Sequence, residues 1–181
     1  YITGTTHIEI RRNSQLLASR QVSNNAPTVS FVSPSAGMRV AQTTSVMWNA
    51  SDIDGDSLTY WVQYSKDNGV SWQTVAIGLK TNAFDLDTTH IPGSAQARLK
   101  VIATDGVNTT EAISSQFQVP RNAPEATILT PDDQSSYSPG DLVRLQGTAW
   151  DEEDGDLVDA TLIWTDNLNG ALGTGKVLNV S

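Results

Sequence analysis

The sequence predicts an all-β chain made of tandem β-sandwich modules. Short stretches rich in Val, Ile, Thr and aromatic residues alternate with turn residues at the regular spacing expected of a sandwich. No window shows the periodicity of an amphipathic helix. A sequence repeat of about one hundred residues has the size of one sandwich domain, and the 181 residues leave room for two cores.

The repeat defines the module boundaries. Asn25-Ala26-Pro27 returns as Asn122-Ala123-Pro124, at an offset of 97 residues. The segment 50–58 returns as 149–157 with a one-residue slip. We therefore predict three parts: a hairpin that closes a preceding domain in residues 1–24, a complete sandwich in residues 25–120, and a second sandwich, incomplete at its C-terminal side, in residues 121–181.

Seven strands are predicted in the first module. They span residues 28–32, 45–50, 58–64, 72–77, 83–86, 97–104 and 115–119. Within 58–64 the side chains alternate between two faces. We expect the core face to carry Leu58, Tyr60, Val62 and Tyr64, with Trp61 on the opposite face.

The two ends of the chain carry fewer strands than a sandwich needs. In the second module strands are predicted at residues 126–129, 142–147, 160–164 and 176–180. At the other end, 7–12 and 15–20 form a predicted hairpin about Asn13-Ser14. The chain is thus expected to be an excerpt of a longer protein. An open apolar face and sheet edge in the second module must then be covered, by another molecule or by residues beyond Ser181.

Charge and composition exclude several function classes. Twenty acidic residues against eleven basic ones give a net charge of -9, which repels nucleic acid and anionic lipid alike. There is no cysteine for a disulfide, a thiolate metal site or a nucleophile. No apolar run is long enough to span a membrane, and no signal peptide is visible, so any export signal is expected upstream.

Two acidic loops are the most chemically specific feature. The first is Asp52-x-Asp54-Gly55-Asp56, between the second and third strands of its module. Carboxylates at alternate positions around a glycine can curl onto one cation, and calcium takes 6 to 8 oxygen ligands. Neither loop matches an EF-hand, and the alternative is that these residues only form turns. The repeated loop offers Asp151, Glu153, Asp154 and Asp156.

Several motifs in residues 27–120 resemble a fibronectin type III module. They are Trp48 on the second strand, Tyr60-x-Val62-x-Tyr64 on the third, and Ile91-Pro92-Gly93 before Leu99-x-Val101-x-Ala103. The tyrosine usual on the sixth strand of that family is absent. The resemblance implies a fibronectin or immunoglobulin-like sandwich of the kind found in bacterial extracellular proteins.

The linker and loop motifs are similar to those of cadherin-type repeats. They are Asn24-Asn25-Ala26-Pro27, Ala50-x-Asp52-x-Asp54 and Ala103-Thr104-Asp105-Gly106. Such residues bind calcium between consecutive cadherin domains. Here Ser23 and Asn24 replace the flanking aspartates, and the second linker, 120–122, departs further. The resemblance therefore implies calcium confined to the first loop, with Asp105 completing its ligands.

The segment Ser65-x-Asp67-x-Gly69-x-Ser71-Trp72 is similar to the Asp-box of sialidase-type propellers. A propeller needs several blades at regular spacing, and one box occurs here. Asp67 can bond its own backbone, Gly69 can take a positive φ, and Trp72 can pack beneath them. We predict a hairpin turn.

No catalytic constellation is visible. The only histidines, His7 and His90, lie in different modules and neighbour no nucleophile pattern. The carboxylates cluster within single loops, whereas a glycosidase needs two across a cleft. Trp61 on the outer face of its strand is the one candidate ligand-binding residue, as a sugar-stacking platform, a domain contact or part of the sheet surface.

These inferences favour a non-catalytic array of extracellular modules. We expect a spacer, stalk or adhesive segment of a secreted or surface-anchored bacterial protein, stabilised by calcium. The alternative is an accessory region of an exported hydrolase, including a carbohydrate-binding module that uses Trp61. The expected partners are neighbouring sandwich domains of the same protein and a cell-surface protein or carbohydrate, with no nucleic acid and no membrane insertion.

Overall fold

The computed structural model describes residues 5–158 and 161–181. They form two compact units. Unit 1 holds the described residues up to Thr88 together with Ser94–Pro120, and unit 2 holds Thr89–Gly93 and Arg121–Ser181. No helix in the described part of the chain is long and apolar enough to cross a membrane.

Unit 1 begins with a β-hairpin. Strand β1 (His7–Arg12) pairs antiparallel with β2 (Gln15–Gln21), and Asn13 in the turn has a φ of 54°. A left-handed φ at a two-residue turn gives the twist that joins antiparallel strands, and asparagine tolerates it. The predicted hairpin is confirmed, and its place as the end of a preceding domain stays a prediction.

The remainder of unit 1 is a sandwich of two antiparallel sheets. One has the strand order β3-β4-β7, and the other has the order β10-β8-β5-β6 with β9 also paired to β8. The strands are β3 (Thr28–Ser33), β4 (Thr43–Ser51), β5 (Thr59–Ser65), β6 (Gln73–Leu79), β7 (Ala83–Asp87), β8 (Ser94–Thr104), β9 (Thr109–Ile113) and β10 (Phe117–Val119). A 3-10 helix, Thr88–His90, follows β7.

The core of the sandwich lies between its two sheets. Trp48 of β4 meets Tyr60 of β5 edge to face, with ring centroids 5.2 Å apart. The alternation predicted along β5 is confirmed for Tyr60, Val62 and Tyr64, which are buried, and for Trp61, which is 48% exposed. Leu58 is the exception. It precedes β5 and is only half-buried, because the loop before β5 ends one residue later than expected.

Unit 2 contains two small antiparallel sheets. In one, β12 (Val143–Asp151) pairs with β11 (Glu125–Thr130), β13 (Gly155–Leu157) and β16 (Val177–Val180). The other consists of β14 (Ile163–Asp166) and β15 (Gly170–Thr174). Leu145 and Ala149 of β12 are buried, and Trp164 of β14 lies against Gly147 of β12.

The all-β prediction is confirmed, although three of the described strands were not anticipated. These are β9, β13 and β15, which are short or contain glycine and polar residues. Each forms because it pairs with a stronger neighbour, as β9 does with Lys100–Thr104 of β8. Residue 160, the predicted start of one strand, lies outside the described residues.

Candidate metal centre

The first acidic loop joins β4 to β5 and is shaped by its own first carboxylate. Oδ1 of Asp52 accepts hydrogen bonds from the backbone N–H of Asp54, at 2.8 Å, and of Asp56, at 3.3 Å. Gly55 has a φ of 78°, a conformation that glycine adopts without strain. The loop therefore curls so that its acidic side chains converge.

The three aspartates of this loop form a candidate cation site. Asp52, Asp54 and Asp56 each place a carboxylate oxygen within 4.8 Å of the others. Among the described residues, this is the only such group of three. Oδ2 of Asp52 is buried and has no hydrogen-bond partner. A buried carboxylate oxygen without a donor fits a cation ligand, because such an oxygen is costly to leave unpaired.

The carboxylate of Asp54 also binds the segment that precedes the sandwich, Ser23–Asn25. Its Oδ2 accepts hydrogen bonds from the Ser23 hydroxyl at 2.7 Å, the Asn24 N–H at 3.1 Å and the Asn25 N–H at 2.9 Å. Its Oδ1 accepts one from the Asn25 amide at 2.8 Å. The Ser23 hydroxyl first, and then the N–H groups of Asn25, lower the pKa of Asp54 below its ordinary value. Since Oδ1 accepts a single bond, one lone pair is left for a metal.

Asp105 lies in the loop between β8 and β9 and is not a member of the three-aspartate group. Its side chain is buried, at 1% exposed. Oδ1 accepts hydrogen bonds from the N–H groups of Val107, at 2.6 Å, and Asn108, at 2.7 Å, while Oδ2 lies 3.1 Å from the amide nitrogen of Asn108. The Asn108 amide in turn donates to the carbonyl oxygens of Ser23 and Asn25. Asp105 thus acts on the linker through Asn108.

The hairpin is fastened to the same loop. The guanidinium of Arg20 donates a hydrogen bond to the carbonyl oxygen of Asp105. Gly106 has a φ of 94°, and a Cβ at this position would come within 2.8 Å of the Arg20 guanidinium. Sequence reasoning anticipated neither Arg20 nor Asn108. The motif Asn24-Asn25-Ala26-Pro27 did mark the linker that Asn108 holds.

The second acidic loop uses its carboxylates differently. Oδ1 of Asp151 accepts hydrogen bonds from the N–H groups of Glu153, at 2.9 Å, and Asp154, at 3.0 Å. Oε1 of Glu153 accepts one from the N–H of Asn122, at 3.1 Å. The remaining two acids are paired with cations: Asp154 with Arg121 at 2.9 Å and Asp156 with Lys176 at 2.6 Å. Calcium at this loop stays a prediction.

Trp61 stands on the outer surface of the β5-β6-β8 sheet. Its cross-strand neighbours are Ile77 of β6, which is 69% exposed, and Ile102 of β8. The indole therefore belongs to a small apolar patch on an open sheet face. Its role as a ligand-binding residue stays a prediction.

The turn between β5 and β6 is closed by Asp67. Its carboxylate accepts hydrogen bonds from the hydroxyl and N–H of Ser71 and from the hydroxyl of Ser65, and these bonds lower its pKa to about 2. Gly69 has a φ of 92°, and a Cβ at this position would lie 3.2 Å from the Trp72 ring. These contacts give the segment 65–72 the hydrogen bonds of a tight hairpin turn.

This chain is distantly similar to several solved structures. No protein-family model and no curated protein matches this chain. An endo-β-1,4-mannanase from Thermotoga petrophila is 21% identical over 56% of this chain and 21% of its own, with a TM-score of 0.41. The fibronectin(III)-like modules of Clostridium thermocellum CbhA are 15% identical over 84% of this chain and 78% of theirs, with a TM-score of 0.32.

A third solved structure is that of Dscam, described in connection with isoform specificity. It is 13% identical over 88% of this chain and 39% of its own, with a TM-score of 0.39. This chain spans about a fifth of the length of the mannanase chain. With TM-scores of 0.32 to 0.41, these likenesses assign no function to it.

Proposed function

We propose that this chain is a non-catalytic spacer or stalk segment of a secreted or cell-surface protein. In this proposal the acidic loop of a module fixes the linker that precedes it, and calcium at Asp52, Asp54 and Asp56 reinforces the first of these joints. The partners are neighbouring sandwich domains of the same protein, and a surface protein or carbohydrate.

The observation that carries the proposal is the four hydrogen bonds between the Asp54 carboxylate and Ser23–Asn25. A linker whose N–H groups are taken by one side chain has few alternative conformations. A spacer needs such a joint, because a freely hinged linker transmits neither direction nor length. A catalytic loop would instead leave the carboxylate open toward a substrate.

The same arrangement in the second module supports the proposal. Glu153 follows Asp151 as Asp54 follows Asp52, and in both loops the N–H of the second acid is bonded to Oδ1 of the first. In both modules the second acid then accepts a hydrogen bond from the N–H of a linker asparagine, Asn25 or Asn122. Repetition of this contact is expected where every joint of an array has the same function.

Calcium has a physical role at the first loop. Three carboxylates within 4.8 Å of one another repel, and no basic side chain is paired with any of them in the described residues. A bound calcium ion would neutralise this charge and take its further ligands from backbone carbonyls and water. The ion would therefore stiffen the loop and the linker together.

Thermal unfolding of the full chain in calcium and in chelator tests this proposal. At a calcium concentration one hundred times its dissociation constant, we expect unit 1 to gain about 2.7 kcal/mol, or ~13 °C of Tm. Asp56→Asn should reduce the gain strongly, because the amide keeps an oxygen ligand but removes one of the three negative charges that attract the ion. Asp85→Asn, an exposed aspartate on β7, is the matched control and should keep it. Equal melting temperatures in both buffers would contradict the calcium site.

The carbohydrate-binding alternative has one observation in its favour, which is the exposed indole of Trp61 beside Ile77. Exposed aromatic rings stack on sugar faces. Glycan-array binding that is lost in Trp61→Ala and kept in Ile77→Ala would support this reading. Absence of binding by the unsubstituted chain would leave the indole as sheet surface.

A further inference from the structure

We propose that unit 2 accepts the N-terminal hairpin, β1 and β2, of a second copy of this chain. The hairpin would add to the free edge of β14 and cover the apolar face of unit 2. The contact is heterologous, with the hairpin of one copy on unit 2 of the next, so that it builds head-to-tail chains.

The free edge of β14 is the first part of the argument. In the described residues β14 pairs only with β15. Its counterpart in the first module is β5, since each is the first strand after its acidic loop that lies outside the sheet of the strand before that loop, β12 or β4. β5 is paired along both edges, with β6 on one side and β8 on the other. An edge with unpaired N–H and C=O groups is a template for another strand.

The first module shows which element fits such an edge. There β8 pairs with β5, and β9 pairs with the far side of β8, so a strand and its hairpin partner complete the sheet. The hairpin β1-β2 ends at Gln21 and leads into Asn25-Ala26-Pro27. In the same way β8, β9 and β10 lead into Asn122-Ala123-Pro124, and Gln118-Val119 at the end of β10 repeats Gln21-Val22 at an offset of 97. The hairpin therefore stands where a module has its closing strands.

The apolar surfaces of the two partners also correspond. Ile128 of β11 is the repeat equivalent of Phe31 of β3, at the same offset of 97. It lies opposite the buried Gly147, so it points toward the inside of unit 2, yet it is 66% exposed. In the first module β3 contacts β8 and β9, and Phe31 is half-buried. A groove of about 520 Å³ in unit 2 is lined by Ile128, Ala149, Leu157 and Leu162.

The hairpin presents a matching apolar face. Ile10 pairs with Ala18 across the two strands, and Ile8 lies two residues from Ile10 on the same face. Every residue of β1 and β2 is exposed, and Ile10 is 63% exposed. A two-stranded hairpin is marginally stable alone and gains from packing on a further strand. Docking would bury this face.

Charge favours the same pairing. Residues 1–24 carry three arginines and one glutamate, whereas residues 121–181 carry eleven acidic and three basic residues. The hairpin is thus positive and unit 2 is strongly negative. Opposite charge steers the two surfaces together and disfavours pairing of two hairpins or of two unit 2 faces.

The test measures the molar mass of the full chain by size exclusion with light scattering. The protein concentration is varied from about 1 to about 300 μM, a range that covers dissociation constants in the micromolar range. We expect a mass that rises with concentration through dimers to longer chains. Ile10→Glu breaks the hairpin surface and Ile128→Glu breaks the acceptor surface, and each variant alone should remain monomeric. Ile77→Glu changes an isoleucine of similar exposure on β6 and should assemble like the unsubstituted chain.

Mixing the two defective variants gives the decisive result. Ile10→Glu keeps an intact acceptor, and Ile128→Glu keeps an intact hairpin, so an equimolar mixture should form one interface and stop at a 1:1 dimer. A symmetric interface would give no such complementation and would overturn the proposal. A chain that stays monomeric throughout the concentration range would also overturn it. Amide NMR spectra of each variant establish that the substitution leaves the fold intact.

Discussion

Replacing Asp105 should destabilise unit 1 in a way that does not depend on calcium. The cadherin-like motif predicts Asp105 as a metal ligand, whereas the structure has both of its oxygens engaged by Val107 and Asn108. In Asp105→Ala the two N–H groups lose their acceptor, and the Asn108 amide loses a neighbour that orients it toward Ser23 and Asn25. The loop and the linker should therefore loosen together.

The magnitude follows from the burial of Asp105. Its side chain is 1% exposed, while Val107 and Asn108 are half-buried. An unsatisfied buried donor costs about 1–3 kcal/mol, and water can reach half-buried donors, so we expect a total loss of ~2 kcal/mol. Asp105→Asn keeps one carbonyl oxygen as an acceptor for both N–H groups and should lose about half as much.

The assay is thermal unfolding of the full chain with tryptophan fluorescence, in calcium and in chelator. For a domain of this size a loss of ~2 kcal/mol lowers Tm by ~10 °C, and the fall should be equal in both buffers. Asp85→Ala on β7 controls for the loss of one exposed carboxylate. A fall in Tm that appears only in calcium would refute this reasoning and make Asp105 a metal ligand.

Two further predictions concern the turn and the core of unit 1. The folded-state pKa of Asp67 is lowered from 3.8 to about 2, so its carboxylate stabilises the fold above its unfolded pKa, and this stabilisation is lost as pH falls through about 2. The Tm difference between the unsubstituted chain and Asp67→Asn should therefore be constant above about pH 5 and shrink toward pH 2, as measured by melts across that range. Val62 is fully buried, so Val62→Ala should cost about 2 kcal/mol in urea unfolding. On the same strand Trp61→Ala, at an exposed position, should cost less than about 1 kcal/mol; similar losses would contradict the assignment of the two faces.

Local patterns in the sequence were sufficient for the strands that face the core. The alternation of Tyr60, Val62 and Tyr64 predicts a half-buried strand, since burial of one face requires that period. It did not find β9, because Thr109–Ile113 has only two apolar residues and is a strand by virtue of its pairing with β8. A strand of this kind is specified by its pairing with the strand before it and not by its own alternation.

The sequence predicts the clustering of the three aspartates but not the contact of Asp54 with the linker. Spacing alone brings Asp52, Asp54 and Asp56 together, because the three lie within five residues around a glycine. The bonds from Asp54 to Ser23–Asn25 join residues 29 to 31 positions apart, and no local pattern specifies them. Asp105 is a different case. The motif predicts a metal ligand, which stays a prediction, and the structure adds that Oδ1 accepts hydrogen bonds from the N–H groups two and three residues ahead.

The two acidic loops share one geometry and balance their charge in different ways. In each loop the first aspartate shapes the turn and the second acid holds a linker asparagine. The second loop then pairs its remaining acids with Arg121 and Lys176. The described residues supply no such cation to the first loop, whose three carboxylates must be balanced from solution. A metal ion and a basic side chain can each neutralise clustered carboxylates. We therefore expect calcium to raise the stability of unit 1, whereas in unit 2 the basic side chains already balance the acidic loop.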